Sequence, residues 1–124
     1  MSEKYRGRID DRRYTSDAVD VTYNLVRCIH AAECVRRLGE VFDTSKRPWI
    51  QPANSAADSI VYTVAHCPSG ALHTERNDGG KGEEIPTENI IVVHNDSYYE
   101  FKGDIEIQGS NVAIEQEIRA ALCR

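Results

Sequence analysis

Cys28, Cys34 and Cys67 are the residues of this chain whose type and spacing can do chemistry. Cys28, Ala31 and Cys34 keep the three-residue rhythm of a C-x2-C-x2-C loop with alanine in the middle place, and Cys67-Pro68 supplies a remote member. Thiolates at that spacing wrap around neighbouring irons while backbone N–H groups point at the sulfides, and proline after the remote cysteine turns the chain. The expectation is one iron-sulfur cluster as cofactor, held by Cys28, Cys34 and Cys67. A 3Fe-4S cluster needs three thiolates, whereas a 4Fe-4S cluster needs a fourth ligand from His30, Glu33, water or a partner, because Ala31 has no donor atom.

Competing readings of these residues are weaker. A buried cysteine is often only a small hydrophobe, but a patterned trio is not explained that way. Zinc would take Cys28, Cys34, Cys67 and His30 or His66, yet structural zinc ligands usually pair two to four residues apart, and Cys28 to Cys34 is wider. Cys123 stands alone and reads as an unligated thiol. His66, His73 and His94 read as surface or packing residues with no base beside them. Ser55, Ser59 and Ser69 lack a nucleophile elbow or a positioned histidine, so the chain reads as a non-enzyme. Phe42 and Trp49 read as core. Arg36, Arg37, Lys46 and Arg47 read as solvated charges, with a basic docking face as the alternative.

The elements that must position the cysteines follow from local pattern. Val19-Asp20-Val21-Thr22-Tyr23 alternates as a half-buried strand running into Cys28. Ala31 to Leu38 predicts a short helix carrying Cys34, stopped by Gly39. Glu40-Val41-Phe42-Asp43 and Pro48-Trp49-Ile50-Gln51 predict two short extended pieces around a polar turn. A helix from Ser55, with Ser55 as its cap and Ile60, Val61 and Val64 on one face, ends at Cys67-Pro68. Ala71 to Glu75 returns as a strand. Strand, helix, two short strands, helix, strand is the order of an α+β, ferredoxin-like split βαβ domain. Beyond it, Ile90 to Val93 predicts a short buried strand, Tyr99 to Lys102 and Asp104 to Ile107 two more, and Val112 to Leu122 a strand despite helix-compatible composition.

Length and charge bound the rest. One compact domain of modest core with an appendage suits 124 residues. A net charge of −5, with the basic residues scattered among acids, argues against nucleic acid and anionic membrane as partners. Met1 to Arg13 has no signal-peptide apolar core, and no apolar stretch reaches membrane-spanning length, so a soluble cytoplasmic protein is expected. Such a compartment keeps thiols reduced, which favours cofactor ligation over disulfides.

Arg27-Cys28-Ile29-His30-Ala31-Ala32-Glu33-Cys34-Val35-Arg36, Val41-Phe42-Asp43, Arg47-Pro48-Trp49-Ile50 and Cys67-Pro68-Ser69-Gly70-Ala71-Leu72 together resemble the divergent single-cluster 4Fe-4S ferredoxin family, over about residues 14–75. The resemblance implies a ferredoxin-like fold and cluster binding. Gly103-Asp104-Ile105-Glu106-Ile107 followed by Arg119-Ala120-Ala121-Leu122-Cys123-Arg124 resembles the start of a CDGSH-type iron-sulfur domain, which holds a 2Fe-2S cluster through three cysteines and a histidine. Only its first cysteine place, Cys123, is present, so no second cluster is expected. The resulting plan is a charged N-terminal arm (1–16), a single-cluster iron-sulfur domain (17–76), a flexible linker (77–88) and a β-rich C-terminal extension (89–124). The expected role is a one-electron carrier working with a redox partner protein, with redox or iron-status sensing through a labile cluster as the alternative.

Overall fold

The computed structural model describes residues 11–29, 31–95, 97–108 and 113–123. Of the charged arm expected over 1–16, residues 1–10 lie outside them. In chain order the elements are β1 (Arg12–Tyr14), β2 (Val19–Tyr23), α1 (Glu33–Arg37), α2 (Ala57–Val64), β3 (Leu72–Arg76), β4 (Ile90–Val93), β5 (Tyr98–Gln108) and β6 (Ala113–Cys123). Two antiparallel three-stranded sheets result, ordered β1-β2-β3 and β4-β5-β6. The mix of sheets and short helices is the expected α+β class. No described helix is long and apolar enough to cross a membrane.

The first sheet is built on β2. Its alternation puts Val19, Val21 and Tyr23 on one face, with Val19 opposite Arg76 and Tyr23 opposite Leu72. Ala57, Ile60, Val61 and Val64 recur at helical spacing, and Ala57, Ile60 and Val64 of α2 join Val19, Val21 and Tyr23 in one core with Val41, Phe42 and Ile50. Three expectations change here. The charged arm expected over 1–16 ends in a strand, because Arg12 to Tyr14 pairs with β2 and Tyr14 packs on the core. The two strands expected around residues 40–51 shrink to one bridge between Phe42 and Ile50, because the chain needs only to return across the core edge. Ala56, not Ser55, occupies the cap position of α2 without a side-chain hydrogen bond, since the helix starts one residue too late for Ser55 to serve.

Residues 77–88 are irregular and fastened at two points. Arg76 reaches Asp58 and Asp78 at 2.7 Å each, and Glu83 pairs with Arg119. In the second sheet β6 is the strand expected from Val112 onward, while the two strands expected around Gly103 are one, β5, with register shifts between Lys102 and Ile107. β4 departs from expectation in burial. Ile90, Ile91, Val92 and Val93 are 45, 61, 38 and 57 % exposed, because β4 is the sheet edge and pairs on one side only. Ile91→Lys is expected to leave the unfolding free energy from urea titration within about 0.5 kcal/mol of the parent while reducing aggregation in light scattering, as charges on bare strand edges do. A loss of more than about 2 kcal/mol would show that β4 packs against something.

Candidate cluster site

Three chain segments bring the thiols together. Tyr23 ends β2, and a 3-10 turn at Leu25–Arg27 carries the chain into Cys28. Asn24 fixes this turn: its side-chain oxygen accepts from the Arg27 N–H at 3.2 Å, and its own N–H donates to the Ala71 carbonyl at 2.8 Å. The strand end before Cys28 is thereby tied to the segment after Cys67. Cys34 lies in the first turn of α1, entered through Ala32 in the left-handed region at φ 62°. Cys67 follows α2, its N–H donating to the Val64 carbonyl at 2.9 Å, and its Sγ lies 3.7 Å from the Ser69 hydroxyl.

All three thiols line one small cavity of about 30 Å³, walled by Tyr23, Trp49 and Leu72 and by Ala31 and Ala32. Each is half-buried against the core. Burial, with Cys67 and Cys28 close by, pushes the Cys34 thiol up to about 11. Burial first, then the Cys28 thiol beside it, raises the Tyr23 hydroxyl in the same way. Three thiolates lining one apolar-walled cavity would repel one another, and cations among the sulfurs would offset that repulsion. Among the described residues no three His, Cys, Asp or Glu side chains form a group suited to one metal ion.

Room for a cluster is not confined to the inner cavity. Cys28, Cys34, Tyr23, Ala32 and Trp49 also line a groove of about 620 Å³ on the outer side. Ala31 lines both the thiol cavity and a cleft of about 690 Å³ that reaches His94, Tyr98 and Leu122 of the second sheet. A methyl group, with no donor, thus stands between the trio and that cleft. His30, the candidate fourth ligand, lies outside the described residues, as does the Cys123 side chain.

The sequence reading missed what holds the Cys67 loop. Arg119, 1 % exposed on β6, donates from Nη1 to the Cys67 carbonyl at 2.6 Å, from Nη2 to the Leu72 carbonyl at 2.8 Å, and pairs with Glu83 through two N–H groups at 2.7 and 2.9 Å. Arg27, beside Cys28, reaches Glu117 at 2.6 Å and the Ser69 carbonyl at 2.6 Å. Gly70, at φ +73°, lets β6 come this close, since a Cβ there would meet the Arg119 carbonyl oxygen and the Arg27 guanidinium. The reading of the histidines as without a base is corrected: His73 Nε2 lies 3.0 Å from Glu117, and His94 Nε2 lies 2.9 Å from Glu100. Burial holds His73 below its ordinary value, and the Arg119 cation adds to this. Neutral His73 donates from Nε2 to Glu117 while Nδ1 faces Arg119 Nη2 at 3.4 Å. Burial alone would raise Glu117, but its bonds from His73 and Arg27 hold it at about 2.

The family described as divergent 4Fe-4S mono-cluster matches residues 14–77, a span containing all three cysteines of the cavity. The chain is similar to the uncharacterized protein YjdI of Escherichia coli (strain K12), 39 % identical over 61 residues that cover 49 % of this chain and 80 % of that protein. Its counterpart in Escherichia coli O157:H7 matches to the same extent. No solved structure matches the chain.

Proposed function

Because the chain belongs to the divergent 4Fe-4S mono-cluster family, we propose that it holds one iron-sulfur cluster through Cys28, Cys34 and Cys67 and serves as a ferredoxin-like one-electron carrier. The observation that carries this is the convergence of the three thiols on one apolar-walled cavity. When bound, such a cluster accepts and returns a single electron, with a potential set by burial, net charge and hydrogen bonds to its sulfurs. The chain's own part is to supply the thiolates, to exclude water with Tyr23, Trp49 and Leu72, and to hold the Cys67 loop through Arg119 and Arg27. No substrate is turned over, and the electron passes to a partner protein in the reducing cytoplasm.

The test is anaerobic reconstitution with iron and sulfide, metal counting, and EPR before and after dithionite. Retention of about three or four irons per chain is expected. A signal in the oxidised state identifies 3Fe-4S, and one appearing on reduction identifies 4Fe-4S. Uptake of zinc with no iron or sulfide sinks the proposal.

Ala31 favours a second reading. With a methyl group at the corner where a fourth thiolate would stand, and a cleft beyond it, a cluster held here is open to loss, as in a redox or iron-status sensing module. Loss of iron within minutes in air favours sensing, and a cluster that cycles unchanged in air favours the carrier. The C-terminal β5-β6 hairpin, which resembles the start of a CDGSH-type domain, would then present the cluster unit to its partner.

A further inference from the structure

We propose that the outer groove beside Cys28 and Cys34 is the docking surface for an electron-transfer protein that presents an acidic patch around an apolar side chain. The inference rests on the cluster reading and adds where the electron leaves and to what kind of partner. The groove, about 620 Å³, is shared with the thiol cavity through Cys28, Cys34 and Trp49, so a partner seated in it lies against the wall of the proposed cluster. Electron transfer needs that closeness, because its rate falls steeply with distance.

The chemistry of the groove names the partner. Its apolar part includes Leu25 and Val35, which are 60 and 39 % exposed, together with Pro48 and the half-buried Trp49. Apolar surface of this kind, rimmed by polar residues, marks a protein contact. Among the described residues the charged ones that line it are Arg12 and Arg47, with no carboxylate, although the chain as a whole has 20 acids to 15 bases. Among the described residues neither arginine forms an ion pair. Arg47 donates to the Thr44 and Lys46 carbonyls, which fixes the head without neutralising it. The neighbouring cations that the sequence also suggested for docking are differently placed: Arg36 and Arg37 both pair with Glu33. A chain with net charge −5 thus places two arginines without a described carboxylate partner along the groove beside the thiols, and a local field of this kind steers an acidic partner even against the net charge.

Outer-sphere oxidants of opposite charge test this without the partner. The reconstituted, reduced protein is mixed in stopped flow with tris(oxalato)cobaltate(III), an anion, or hexaamminecobalt(III), a cation. In each case one electron leaves the cluster and one cobalt(III) becomes cobalt(II). The expected result is that the rate with the anion falls as salt is added, opposite to what the net charge dictates. Arg12→Glu with Arg47→Glu is expected to lower the anion rate about tenfold at low salt and to raise the cation rate. Arg47→Gln, a gentler change, lowers the anion rate in the same direction. A parent protein whose anion rate rises with salt, or loaded variants with unchanged rates, overturns the docking surface while leaving the cluster reading intact. A chain that takes up no iron sinks the carrier reading itself.

Discussion

Replacing Cys34 with alanine is expected to abolish cluster uptake while leaving a folded chain. Cys34 sits between the other two thiols in its electrostatics: its acidity is displaced by burial and then by both Cys67 and Cys28. Its removal leaves two thiolates facing Ala31 and a methyl group at residue 34, and two thiolates do not retain a cluster of three or four irons. The fold bears the loss, because Cys34 is only half-buried and α1 is a short helix at the core edge; about 1 kcal/mol is the expected cost. Iron and sulfide counts after anaerobic reconstitution should drop to background, with circular dichroism unchanged. Cys123→Ser, altering the thiol outside the trio, should keep the parent's counts. Retention of a full cluster by Cys34→Ala would show that the ligands are other residues.

Arg119→Met is expected to destabilise the chain by about 3–5 kcal/mol, the range for breaking a buried ion pair by removing one partner. The side chain is fully buried and spends its donors on Glu83 and on the carbonyls of Cys67 and Leu72, so its loss strands a carboxylate and two carbonyls away from water. Arg119→Lys should not restore the parent value, because one ammonium cannot reproduce a fork that serves three partners. Urea unfolding measures both. Variants within about 0.5 kcal/mol of the parent would show that β6 is held by packing alone. The same network sets the response to acid. His73 and Glu117 both titrate lower folded than unfolded, so each contributes stability above its ordinary value that is lost as pH falls. Stability should therefore decline from about pH 6.5 downward as His73 protonates in the unfolded chain, and further from about pH 4.5 toward 2 through Glu117. Glu117→Gln should flatten the second part of that decline.

Much of the cluster unit was legible because its signals are local. Alternation in Val19 to Tyr23, the helical spacing of Ile60 and Val64, and Pro68 after Cys67 each report on neighbours within one turn or one strand. The errors came where burial is decided by distant chain. Ile90 to Val93 has the composition of a buried strand, yet no periodicity says whether another layer will cover it. His73 gave no sign of its base, because Glu117 is 44 residues away.

The sequence by itself determined that Cys28, Cys34 and Cys67 have the spacing of a cluster loop with its remote member and that Ala31 stands where a further cysteine would. Ligand spacing is a property of the chain, written in residue order. The tertiary structure alone decided that Arg119 and Arg27 clamp the Cys67 loop from β6 and from the turn before Cys28, and that Arg12 and Arg47 line the groove beside the thiols. A long cation has the same identity in sequence whether it is solvated, paired or buried. Only the carboxylates and carbonyls that folding brings to it settle which, and those come from segments that residue order keeps apart.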